Sequence, residues 1–198
     1  MTIRNLADNL EVSPMAIYWH VANKDELFDA MGDRMCQDFV VRADRSQPWY
    51  EQLRVVYSDM VAVFTRYGDA AKIAVPRLLY TDSGRRLSEC LLGLLHLGGF
   101  DAAEATQLAR HGMRVVVGLV TEPLFTNNVL DAAKRQRVLD GYDRMLQSLP
   151  PDRYPNLAEA STSISRVEHL EEFNTMGVGL LIDGLKARAA RLSDPATT

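Results

Sequence analysis

The stretch from Thr2 to Met31, TIRNLADNLEVSPMAIYWHVANKDELFDAM, limits what this chain can fold into more than any other. Leu6, Ala7 and Leu10 form a short apolar stripe at i, i+1 and i+4, the mark of a helix with one buried side. Val12 follows as a plug for a turn, and Ser13 is placed to cap a second helix. Pro14 falls in that helix's first turn, where proline is tolerated. A helix from Pro14 to His20 is too short to stand alone and has to pack on its neighbours. Two short helices at a tight turn, with a third opening straight afterwards, predict a helix-turn-helix, whose second helix enters the major groove of DNA.

A chain of 198 residues that is 47% hydrophobic can build one sizeable core and a small satellite unit. The net charge of −4 is mild, so any DNA-binding surface has to be local. Cys36 and Cys90 lie far apart with no CxxC pattern, which points to a reduced, cytoplasmic protein without a zinc site. No apolar run reaches the ~18 residues of a membrane span, and no membrane partner is expected.

The rest of the chain reads as helices. Lys24 to Ala43 predicts a long connecting helix, with Asn23 or Asp25 as its cap and Leu27, Met31, Met35 and Phe39 on one face. Trp49 to Tyr67 predicts another, ended by Gly68. A shorter piece from Asp69 to Tyr80 is interrupted by Pro76, and Leu87 to Leu97 is apolar nearly all round. Helices are also expected over Asp101 to Thr121, Asn127 to Leu149 and Arg166 to Ala190, with the Ser/Thr/Ala-rich residues 156 to 165 mobile between the last two. No alternating strand pattern occurs. The expected fold is therefore all-α, with a helix-turn-helix and connecting helix over residues 1–45 and a larger helical domain over 46–198.

The run IYWHVANKDELFDAM closely resembles the recognition-helix exit and following helix of the tetracycline-repressor (TetR) family of transcriptional regulators. Tyr18, Trp19, His20, Asn23, Lys24 and Leu27 fall in place, and Phe28 stands where the family often has leucine. The segments RYGDAAKIAV (66–75), GGF (98–100) and GLVTE (118–122) are similar to the family's ligand-binding and dimerisation domain. The resemblance implies a ligand-responsive repressor that binds a palindromic double-stranded DNA operator as a homodimer. By it, Arg4 matches a position that reads a guanine, and Thr2, Tyr18, Lys24 and His20 match positions that hold phosphates. Met15, Ala16 and Trp19 would face the groove. Two departures stand out. Glu11 occupies a turn position where the family has glycine, and the chain as written begins without the helix that precedes the motif in the family. The latter leaves a second expectation, of a dimeric small-molecule-binding protein that no longer binds DNA because that helix is absent.

The resemblance also implies a small-molecule inducer. Family members that bind magnesium–tetracycline grip it with an amide, two histidines and a glutamine; the aligned residues here are Val56, Ala74, Leu91 and Arg114, with only Glu122 kept. A tetracycline–magnesium ligand is thus not expected, nor any metal or cofactor. The replacements point to an apolar pocket of Val56, Met60, Phe64, Leu91, Leu95, Met113, Val116 and Phe125, with Arg114 or His111 to orient a polar or anionic group. Val115, Leu119, Phe173, Val178, Leu181 and Ile182 are the expected dimer contacts. An enzyme is not expected. His20, His96, His111 and His169 show no HExxH spacing, and Glu168, His169, Glu171 and Glu172 read as a solvated helix face.

Overall fold

The computed structural model describes residues 2–39, 44, 46–68, 70–121, 132–165 and 170–192. All regular structure among the described residues is helical. Helix α1 spans Ile3–Asn9, α2 Pro14–Tyr18 and α3 Lys24–Gln37. Then come α4 (Trp49–Tyr67), α5 (Ala70–Ala74), a 3₁₀ helix (Val75–Tyr80) and α6 (Asp82–Leu97). The series closes with α7 (Ala102–Thr121), α8 (Ala132–Gln147), α9 (Pro155–Ser165) and α10 (Leu170–Leu192).

Most boundaries follow from local chemistry. Gly68, at φ 53°, ends α4 in a conformation that costs a side-chain-bearing residue more than glycine. Helix α3 stops at Gln37, earlier than the apolar pattern suggests, and the carboxylate of its C-cap residue Asp38 accepts from Arg34 at 2.7 Å and from the Tyr67 hydroxyl at 2.9 Å. Helix α6 starts at Asp82 and not at Leu87, since Thr81 caps it by accepting the Gly84 amide hydrogen at 3.1 Å. Residues 156–165 form α9 instead of a loose segment. The Ser161 hydroxyl returns to its own helix, donating to the Ala158 carbonyl at 2.8 Å.

The core gathers around α4, which packs on α7, α10 and α6. Leu53, Tyr57, Met60 and Phe64 are all 0% exposed. Tyr57 points its ring at α7, where only a glycine leaves room: a methyl on Gly112 would lie 2.1 Å from the Tyr57 hydroxyl oxygen. That hydroxyl is buried with no hydrogen-bond partner among the described residues. Burial therefore pushes its ionisation well above the ordinary tyrosine range. A second close approach joins α10 to α7, where Gly177 lies against Leu119.

The geometry at Tyr57 has opposite consequences for its two partners. Tyr57→Phe removes an unpaired buried hydroxyl and keeps the ring, so it should raise stability by about 1 kcal/mol. Gly112→Ala should lower it by about 1–3 kcal/mol through overpacking. Urea denaturation of both variants reads the two signs directly.

Candidate DNA-binding head and ligand cavity

The first three helices are held by three side-chain caps in succession. Thr2 accepts the Asn5 amide hydrogen at 3.1 Å, Ser13 that of Ala16 at 3.2 Å, and Asn23 that of Glu26 at 2.9 Å. Glu26 accepts in return from the Ala22 amide at 2.6 Å, which fixes the angle at which α3 leaves the head. Glu11 sits in the α1–α2 turn at φ 56°, the only described non-glycine residue with positive φ. A side chain there is strained by about 1 kcal/mol relative to glycine.

Helices α1 and α2 pack together, and Ala7 and Ile17 are their buried residues. Thr2, Arg4, Met15, Tyr18, Trp19, His20 and Lys24 are all exposed, and Ala16 is half-buried. Trp19 is 83% and Met15 64% exposed, a level at which neither serves as core. Two of these residues have local duties too. The Thr2 hydroxyl donates to Asn5 Oδ1 at 2.9 Å, and the Lys24 ammonium lies 5.2 Å from the Phe28 ring centre. The cations of the head are few, and Asp8 and Glu11 offset Arg4 and Lys24 within it.

Helix α3 links this head to the body through carboxylates at three levels. Arg77, on the 3₁₀ helix, donates to Asp29 at 2.5 Å and to Asp25 at 3.2 Å. The Ser83 amide, at the start of α6, donates to Asp33 at 3.1 Å. Tyr67, at the end of α4, donates to Asp38. Burial alone would raise the Asp33 carboxyl, but the Ser83 bonds, Gln37 and the nearby Arg86 charge hold it below its usual range.

Beside Arg77 lies a cavity of about 730 Å³. The segment of α5 and the 3₁₀ helix contributes Lys72, Val75, Pro76, Leu78 and Leu79 to its wall, and α6 contributes Leu87, Ser88, Leu91 and Leu92. Helix α7 supplies Thr106, Ala109, Arg110, Met113, Arg114 and Val117. A methyl on Gly84 would sit 2.1 Å from the Leu78 carbonyl oxygen, so the 3₁₀ helix and α6 meet backbone to backbone at the floor.

Of the expected pocket residues, Leu91, Met113 and Arg114 line this cavity. Val56, Met60, Phe64, Leu95 and Val116 do not; they are buried in the core behind it, because α4 turns its apolar face to α7 and α10. His111 is exposed and lies outside the lining. Phe125, Glu122, Glu168 and His169 lie outside the described residues. Sequence reasoning missed the contribution of the 3₁₀ helix altogether, along with Arg110. The signal for Arg110 was available as a like-charged i, i+4 pair with Arg114 on one helix.

A family model described as "Tetracyclin repressor-like, C-terminal domain" matches residues 43–189. The chain belongs to that family. A helix-turn-helix-type transcriptional regulator of Saccharopolyspora erythraea is 24% identical over 121 residues, 61% of this chain and 51% of the relative. The class G tetracycline repressor protein of Vibrio anguillarum is 28% identical over 124 residues, 62% of this chain and 59% of the relative. The chain thus spans little more than half the length of the curated relatives it matches. Among solved structures, the Streptomyces coelicolor TetR family protein ActR in complex with actinorhodin superposes with a TM-score of 0.77 at 25% identity, covering 96% of this chain and 88% of that one.

Within the family fold, α10 is apolar on two sides. Val178, Ile182 and Leu185 are buried in the core. Phe173, Met176 and Leu180 are 44%, 65% and 69% exposed on the outer side. Of the expected dimer contacts, Val178, Ile182 and Leu119 are therefore spent within one chain, Val115 and Leu181 are half-buried, and Phe173 is exposed. Met176 and Leu180 were not expected. A single long apolar run on α10 concealed that it serves two faces.

The Asp33–Ser83 bond gives a pH test. A carboxyl lowered on folding adds stability that is present above its unfolded pKa and is lost as pH falls through the lowered value. Urea midpoints of the native chain should fall between about pH 5 and 3. Asp33→Asn should make that decline shallower.

Proposed function

We propose that the chain is a ligand-responsive transcriptional regulator, a repressor that holds a palindromic operator as a homodimer and releases it when a largely apolar small molecule enters the cavity. The observation that carries this reading is the shared 3₁₀ helix. Its Leu78 and Leu79 line the cavity while Arg77, between the cavity and α3, grips the helix that leaves the head. A ligand that displaces this wall acts on α3, and differential affinity for two positions of α3 is what a regulated release requires. The regulator names of the relatives support a binding role over a catalytic one. The actinorhodin complex of ActR supports a ligand-binding role.

In this reading Arg4 donates to a guanine edge, and Tyr18, His20, Lys24 and Thr2 hold the backbone. Met15, Ala16 and Trp19 pack in the groove against thymine methyls. Phe173, Met176 and Leu180, exposed along α10, form the isologous contact with a second copy, together with Val115 and Leu181 at its edge.

An electrophoretic shift with the intergenic DNA beside the gene tests the proposal. The native chain should retard a fragment carrying an inverted repeat. Arg4→Ala should weaken that specific complex by about tenfold or more while sparing non-specific binding. Glu11→Gly relieves both the strained turn and a negative charge beside the phosphates, and should tighten it. Failure to retard any such fragment, from a chain that still binds a small molecule, would favour the DNA-free sensor instead.

A further inference from the structure

The wall of the cavity carries two guanidiniums that no described carboxylate neutralises. Arg110 and Arg114 are one helical turn apart on α7, both exposed, and neither has an ion-pair or hydrogen-bond partner among the described residues. Like charges at this spacing repel. The chain does not lack carboxylates, having 26 Asp and Glu against 22 Lys and Arg. Several arginines elsewhere are paired, Arg77 with Asp29 and Asp25, Arg86 with Asp82, Arg54 with Glu51 and Arg188 with Glu104, while other unpaired ones, such as Arg4 and Arg191, do not line this cavity. No carboxylate lies among the described residues of the cavity wall.

A third cation of the wall, Lys72, has an interaction of its own, and the two hydroxyls at the wall are committed as donors. The Ser88 hydroxyl donates to the Gly84 carbonyl at 2.9 Å and the Thr106 hydroxyl to the Ala102 carbonyl at 2.8 Å. Each can still accept from a ligand. Deeper in, Leu78, Leu87 and Leu91 are buried and Met113 is half-buried, so the interior offers an occupant little but apolar contact.

We propose that the cavity takes an amphipathic organic anion: a ring system of drug-like size seated on Leu78, Leu87, Leu91 and Met113, with a carboxylate held between Arg110 and Arg114. A guanidinium fork matches a carboxylate in two-point geometry, and an anion placed there relieves the repulsion between the two arginines. This deepens the proposed function and rests on the cavity being the regulator's ligand site.

Two fluorescent probes with the same rings separate the ideas: anilinonaphthalene sulfonate, whose sulfonate stands in for the carboxylate, and uncharged phenylnaphthylamine. Each is titrated into the full chain, into the surface variant Arg110→Gln/Arg114→Gln, and into Ala109→Trp, which narrows the cavity; circular dichroism checks that each variant is folded. The sulfonate should bind the native chain tighter than the neutral probe. The double Gln variant should lose roughly tenfold or more of the sulfonate affinity and leave the neutral probe unchanged. Ala109→Trp should weaken both. If Ala109→Trp weakens both probes but the double variant leaves the sulfonate unchanged, the cavity stands and its preference for anions is overturned. If Ala109→Trp affects neither probe, or neither binds saturably, the cavity reading itself fails and the proposal with it.

Discussion

Arg77 reaches from the wall of the cavity to Asp29 and Asp25, and the remaining contacts of α3 are arranged around that grip. An arginine–carboxylate contact in the open is worth little, but here the side chains of Arg77 and Asp29 are 24% and 31% exposed and the geometry is short. Asp33 on Ser83 and Asp38 on Tyr67 repeat the arrangement further along the same helix. The carboxylates of α3 and of Asp38 just after it thus meet donors on the 3₁₀ helix, at the start of α6 and on α4. Among the described residues the head shows no comparable set of ion pairs to the body, and its buried residues are Ala7 and Ile17. Where α3 goes, the head follows.

The rest of the body supplies stiffness on one side of the cavity and adaptability on the other. Helices α4, α7 and α10 interlock through Tyr57 against Gly112 and Leu119 against Gly177, contacts with no room for sliding. The 3₁₀ helix is a different kind of wall. It holds a proline, its hydrogen-bond geometry is poorer than that of an α-helix, and Leu79 and Tyr80 at its end are 67% and 72% exposed. A ligand pressing outward meets resistance from α7 and yielding from the segment that holds Arg77.

Much of the fold was legible because caps and stops are local. Ser13, Asn23 and Gly68 act where the sequence puts them, and α4 spans Trp49–Tyr67 as the apolar spacing indicates. Glu11 in a glycine's place was readable as strain and is found at positive φ. The cavity was less legible. Periodicity tells which face of a helix is apolar but not what lies opposite, so Val56, Met60 and Phe64 looked like lining when they are core. The same limit hid the second face of α10 with Met176 and Leu180. A short helical piece broken at Pro76 was expected over the segment of the 3₁₀ helix, but its role in the wall and its grip on α3 were missed, because six residues around a proline carry no period to read and its partner carboxylates lie about fifty residues earlier in the chain.

The central claim is that Arg77 holds the exit helix of the head to the cavity wall. Backbone hydrogen exchange, resolved by peptide along the full chain, tests it most directly when native protein is compared with Arg77→Ala. The account predicts faster exchange confined to residues 24–33, with α4 and α7 protected as before, since losing the grip frees α3 without opening the core. Unchanged exchange over 24–33 would contradict it and leave α3 held by its apolar face alone.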